Sequence, residues 1–193
     1  MEDKILSIGL RKINLLNSIR DNVSFSKYGT FDKGIEVSSN NYIEKPQNKD
    51  GLIPYLRVGD LDSLKDCYIE KGQSLKVCKS DDALIAFDGA PGRINVGLTG
   101  AYSSGIYKVI SKNKGFAFFE LLSDLNQSII KDNSQGTTIL HASKAIPLLK
   151  ACEITDEEVN YFESIYKLLV DIKIRKLTCQ NIKSILLNKY FTN

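Results

Sequence analysis

The chain has 193 residues, 26 of them Lys or Arg and 23 Asp or Glu, for a formal net charge of +3. Hydrophobic content of 42% and charged content of 25% exclude wholesale disorder, and this length buries a full core without disulfides or metals. No apolar run nears the roughly 18 residues of a membrane helix, and a charge so close to balance neither announces nor excludes a nucleic-acid partner.

Residues 4–20 carry helical spacing through Ile5, Ile8, Ile13, Leu16 and Ile19, interrupted by Gly9. This segment either pairs with a second helix or caps the globule. The opening MEDKILSIGLRK is acidic at its start and lacks the apolar core of a signal peptide, so a cytoplasmic location is expected.

Residues 23–146 read as mainly β. Residues 52–58 form a strand candidate ended by Gly59-Asp60, and 82–87 an apolar run ended by Asp88-Gly89-Ala90-Pro91-Gly92. Residues 95–98 and 105–110 follow as strands. Residues 115–131 have helical spacing, with Phe118, Leu121, Leu122, Leu125 and Ile129 on one side.

The pattern changes near Pro147. From Thr155 to Asn193 there is neither Gly nor Pro, and the stretch opens on Thr155-Asp156-Glu157-Glu158, a capping box. Acidic groups suit the positive end of a helix dipole, and Lys183 and Lys189 suit its negative end. One helix over about 156–190 is predicted, about 50 Å long at 1.5 Å per residue. Its heptad positions are Phe162, Ile165, Leu169, Ile172, Cys179, Leu186 and Tyr190, with Lys176 and Lys183 interrupting; Leu168, Ile182 and Ile185 broaden the stripe. A domain of about 150 residues is only about 30–35 Å across, so so long a helix calls for a partner helix. The expected division is a compact mixed α/β, sheet-rich domain over residues 1–150 and a dimerisation helix over residues 151–193.

Several chemistries are absent. The four cysteines, Cys67, Cys78, Cys152 and Cys179, form no CxxC pair, and with His141 the only histidine no usual zinc site or Ser-His-Asp hydrolase is expected. Neither a phosphate loop nor a GxGxxG fingerprint occurs. The carboxylates Asp60, Asp62, Asp81, Asp82 and Asp88 sit near turns and read as turn-forming. No catalytic residue, metal or cofactor is expected. The charge is also spread evenly: residues 1–23, 24–146 and 147–193 carry +1 each, so any nucleic-acid role rests on a few placed side chains.

Three segments then stand in order: Gly51-Leu-Ile-Pro-Tyr-Leu-Arg-Val-Gly-Asp-Leu61, Asp82-Ala-Leu-Ile-Ala-Phe-Asp-Gly-Ala-Pro-Gly-Arg93, and Ser134-Gln-Gly-Thr-Thr-Ile-Leu-His-Ala-Ser143, followed by the capped helix. Their order and spacing resemble the target recognition domain and spacer helix of type I restriction–modification specificity subunits. Tyr55 stands where that family usually has Trp, and Ala101-Tyr102-Ser103-Ser104 where an Asn-Gln pair is common. A usual subunit has two recognition domains and two spacer helices, whereas this chain has room for one of each. The resemblance therefore implies a half-subunit that pairs through antiparallel long helices. It implies double-stranded DNA, methyltransferase subunits and a restriction/translocase subunit as partners.

Base edges in the major groove are read by Arg, Asn, Gln and Ser, while Lys and Arg position the reader on phosphates. Arg93, flanked by Gly89, Gly92 and Gly97, either reaches DNA or is a surface charge on a tight turn. Arg57 either faces DNA or pairs with Asp60, and its place before Gly59-Asp60 favours the pair. Lys27, Tyr28, Lys33, Asn40, Asn41 and Tyr42 form a polar, loop-like stretch of further candidates. Ser103, Ser104, Thr137, Thr138 and His141 complete the set, although a lone His in an apolar run is more often a core residue. The competing expectation is a protein–protein adaptor with a coiled-coil helix and no DNA binding.

Overall fold

A computed structural model describes residues 1–62, 67–72, 75–136 and 140–191. Thr137 and Thr138, and the side chains of Ile185 and Lys189, lie outside the described residues.

Helix α1 (Glu2–Ile19) turns Ile5, Gly9, Ile13 and Leu16 inward, the spacing expected of one buried stripe. Gly9 is a contact point rather than a break. A Cβ there would lie 2.2 Å from the Phe119 ring, so only glycine lets the two helices approach this closely. Strands β1 (Asn22–Ser24) and β2 (Gly29–Lys33) follow, then β3 (Ile43–Glu44), β4 (Leu52–Leu56), β5 (Cys67–Glu70) and β6 (Val77–Cys78). Next come β7 (Leu84–Ala86), β8 (Ile94–Asn95), β9 (Gly100–Tyr102) and β10 (Ile106–Ser111). Helices α2 (Lys114–Leu122) and α3 (Asp124–Asp132) precede β11 (Lys150–Cys152) and the long helix α4 (Asp156–Phe191).

Two sheets carry the body. One has the order β2-β10-β7-β8, all antiparallel; the other has β3-β5-β4-β9-β6, in which β4 and β9 run parallel. The period-2 alternation of side chains sorts residues between layers. Ile85 and Phe87 point into a core shared with the helices, while Leu84 and Ala86 point into a second core with Leu56, Tyr102 and Ile106. Tyr55 and Ala101 face a third cluster with Val37, Cys67 and Ile69. The order is helices, four-stranded sheet, five-stranded sheet.

Three sequence expectations change. The helical stretch over 115–131 is two helices meeting at Ser123, whose hydroxyl accepts from the Asn126 N–H and caps the second. The strand expected over 95–98 is Ile94–Asn95; Val96 and Leu98 are buried beyond it. The division expected at residue 150 falls inside β11, which pairs with β1 and so ties both parts into one sheet.

The long helix begins as its capping box predicts. The Glu158 N–H donates to the Thr155 hydroxyl at 3.3 Å, and the Thr155 N–H donates to the Glu158 carboxylate at 3.1 Å. Arg20 forks onto the same carboxylate at 2.7 and 2.9 Å. That guanidinium pulls the Glu158 carboxyl down to about 2. At the other end of α1, Glu2 bridges Lys173 at 2.7 Å and Lys176 at 3.1 Å, so α1 runs antiparallel along α4.

The predicted partner seam is half consumed at home. Phe162 and Leu169 are fully buried, Phe162 against the rings of Phe116 and Phe119 on α2. Neither can face a partner. Ile165 and Ile172 lie half-buried at the edge of that core. The large apolar side chains left exposed on α4 include Tyr161, Leu168, Ile182, Leu186, Leu187 and Tyr190, with Cys179 exposed among them. Tyr161, Ile165, Leu168, Ile172, Arg175, Cys179, Ile182 and Leu186 keep alternating steps of four and three, a heptad seam that shares Ile165, Ile172, Cys179 and Leu186 with the expected one and, up to Leu186, replaces its other positions by the residue before each.

Candidate nucleic-acid interface

The chain leaves the four-stranded sheet at the end of β2 and joins the other at once. The Gly34 N–H donates to the Ile106 carbonyl and the Ile35 N–H to the Tyr102 carbonyl. This crossover gathers loops from both sheets at one end: residues 33–42, 57–62, 88–93, 103–105, 135–136 and 140–141. Val58 packs at the centre, where Cβ atoms placed on Gly89 and Gly105 would touch its methyl groups.

Lys33, Asp88 and His141 meet there. Asp88 lies 3.8 Å from the Lys33 ammonium and 2.9 Å from Nδ1 of His141. Two backbone bonds join His141 to Gln135, and a Gly89 N–H to Leu140 carbonyl bond fixes residues 140–141 against the 88–93 turn. The His141 side chain is 60% exposed, so the expectation of a core histidine is overturned: its backbone and Nδ1 are held, and the rest of the ring faces out.

Arg93 is directed by partners distant in sequence. Its Nε lies 2.9 Å from Oδ2 of Asp62, and Nη1 donates to the Val58 carbonyl at 3.5 Å. The turn before it depends on Gly92, at φ +85°, whose carbonyl accepts from the Gln127 amide at 3.0 Å. Gly97, which flanks Arg93 in sequence, packs under α4, where an added Cβ would meet Lys173 at 2.7 Å.

Arg57 takes the structural option. Asp60, almost fully buried, accepts from the Arg57 backbone N–H at 2.8 Å and lies 3.4 Å from its Nε, while Glu44 lies 3.5 Å from Nη1. The guanidinium covers the Tyr42 ring at 5.5 Å, and Tyr42 packs on Tyr55. Burial pushes the Tyr55 phenol up, so it stays a donor; it donates to the Ile35 carbonyl at 3.0 Å and accepts from the Val37 N–H at 3.1 Å. Glu36 joins the remaining pieces, accepting from the Tyr42 hydroxyl at 3.4 Å and the Ser104 hydroxyl at 2.8 Å. Asn40 and Asn41 are exposed, and their side-chain amides make no hydrogen bond among the described residues.

Two candidates leave the set. Ser103 is buried, with its N–H on the Leu56 carbonyl, so it cannot touch a ligand. Lys27 precedes β2 while Lys33 ends it, placing them at opposite ends of a strand about 13 Å long. Lys27 pairs with Glu153 at 2.9 Å, beside the start of α4. Sequence reasoning missed Asp62, Val58, Glu36 and Gln127, which position the candidates from as far as 68 residues away. It also read Asp88 as a turn former, and here it is the hub.

Chemically, the cluster is a set of hydrogen-bonding side chains on two rigid sheets. Lys33, Arg57 and Arg93 each face a carboxylate, so an incoming phosphate must displace or share one. Among the described residues no group of three or more His, Cys, Asp and Glu is placed to hold a metal ion. No described helix is long and apolar enough to cross a membrane.

No protein-family model matches the sequence, and no curated protein matches it. Solved structures do match. The HsdS subunit from Thermoanaerobacter tengcongensis superposes with a TM-score of 0.56 at 15% identity over 89% of this chain and 45% of its own. A chain from work on complex assembly and conformational transition of the type I R-M system gives 0.56 at 13% identity, over 96% and 51%. The type I restriction-modification S subunit from M. genitalium gives 0.53 at 12% identity, over 90% and 44%. The mixed α/β, sheet-rich body with its long C-terminal helix is thus similar in fold to HsdS specificity subunits. The chain spans about half the length of the solved chains it matches.

Proposed function

We propose that this chain is a non-catalytic DNA reader of a type I restriction–modification system, a half-subunit that recognises one half of a split target. The carrying observation is the fold likeness, which covers about nine-tenths of this chain but only about half of each solved chain. The loop cluster at one end of the sheets is the reading surface, with Lys33, Arg93, His141, Asn40 and Asn41 as its outward groups.

Two copies associate through α4. With the seam antiparallel and centred between Lys173 and Ile174, Tyr161 faces Leu186, Ile165 faces Ile182, Leu168 faces Cys179 and Ile172 faces Arg175. The distal half of one helix thereby covers the proximal half of the other, burying side chains that one copy leaves exposed. The paired helices offer a rigid stalk on which methyltransferase subunits, and through them a restriction/translocase subunit, dock.

The test is enrichment of a random duplex library by the purified chain, alone and with its methyltransferase subunits. One enriched motif supports DNA reading; none in either arm rejects it. The adaptor reading draws on the internal pairing of Lys33, Arg57 and Arg93, and it predicts no salt-dependent DNA binding.

A further inference from the structure

We infer that Arg93 reads a guanine in the target and that Asp62 is its positioning residue; this rests on the DNA-reading proposal above. The guanidinium carries five N–H donors in a fixed fork. Asp62 faces its Nε and the Val58 carbonyl takes one hydrogen of Nη1. Among the described residues Nη2 makes no bond, so one N–H from each Nη is left without a partner, and the two can donate as a parallel pair. Two parallel donors match the O6 and N7 acceptors of guanine in the major groove; adenine replaces O6 by a donor amino group, and the pair is lost.

The side chain is also held more firmly than a surface arginine contacting phosphate needs to be. Its side chain is 35% exposed. Asp62 fixes its direction by charge, Val58 anchors one nitrogen, and Gln127 holds the preceding Gly92 carbonyl. Fixing rotamers before binding removes an entropic cost from recognition and sharpens its angular demand. A flexible lysine at the same place would supply charge without the paired geometry.

The assay is the same duplex library, selected with the wild-type full-length chain and with Arg93→Lys, Arg93→Ala and Asp62→Asn. Wild type enriches a motif holding one guanine that Arg93→Ala renders degenerate, with discrimination at that position falling about 5- to 150-fold, and that Arg93→Lys weakens. The other positions stay intact. Asp62→Asn keeps the guanine preference but weakens it, because the fork is less firmly aimed. A wild-type motif that survives Arg93→Lys and Arg93→Ala at every position, with only a uniform affinity loss and a salt slope lower by about 1, makes Arg93 a phosphate contact and overturns the inference. Absence of any wild-type motif instead rejects the DNA-reading proposal itself.

Discussion

Phe162→Ala separates the two faces of the long helix. The Phe162 side chain has no solvent exposure and meets three aromatic rings, with centroids 6.0 Å from Phe116, 5.6 Å from Phe119 and 5.3 Å from Tyr161. Truncating such a residue costs about 3–5 kcal/mol, from lost transfer energy and an unfilled cavity. Folding stability for a domain is about 5–15 kcal/mol, so the variant loses about a fifth or more. For a chain of this length each kcal/mol lowers Tm by about 2–4 °C, giving a drop of about 6–20 °C. Leu186→Ala is the matched control. Leu186 is 49% exposed on a helix end, so its removal changes the stability of one copy by about 0.5 kcal/mol or less. It should instead shift association toward single copies. Urea titration gives the stabilities, and sedimentation at several concentrations gives the association. A Phe162→Ala chain within about 1 kcal/mol of wild type that has lost self-association would instead place Phe162 on the partner face.

Leu168→Cys should form a disulfide with native Cys179 of the other copy under mild oxidation, giving a covalent dimer on non-reducing gels. Residues 168 and 179 are about 16 Å apart along one helix, so no bond closes within a chain, and in-register parallel pairing would instead link Cys179 to Cys179 in wild type. In the folded protein only Cys179 should react with an aromatic disulfide reagent, because Cys67, Cys78 and Cys152 are buried and burial pushes the Cys78 and Cys152 thiols up to about 12. Reaction of two or more thiols without unfolding would contradict that burial. The Arg20–Glu158 pair holds the Glu158 carboxyl at about 2, so its contribution is complete above the unfolded value near 4.5 and is lost as pH falls toward 2. Glu158→Gln should flatten the fall in Tm between pH 5 and 2 relative to wild type; an unchanged slope would show the pair to be inert.

Features set by neighbours in sequence were legible without a structure. The α4 start follows from Thr155 and Glu158, three residues apart, and strand β4 from an apolar run stopped by Gly59-Asp60. The seam register was not legible. Phe162 and Leu169 keep heptad spacing as well as Tyr161 and Leu168 do, and the choice between them belongs to Phe116 and Phe119 on another helix. Gly9 likewise reads as a helix weakness until Phe119 is seen against it. In the loop cluster the residue types were legible but not their company. Arg93 depends on Asp62 and Gln127, and Lys33 on Asp88, through contacts that only the crossover between sheets creates. Ser103 and Lys27 failed for the same reason: burial and strand direction are tertiary facts.

DNA reading by the loop cluster is the proposed role from which the rest follows. Selection of a random duplex library by the purified chain, with and without methyltransferase subunits and at low and moderate salt, tests it most directly. Expected are one short enriched half-site, affinity that falls with salt, and loss of part of that motif on substituting Arg93. No enriched sequence under any of these conditions would contradict it.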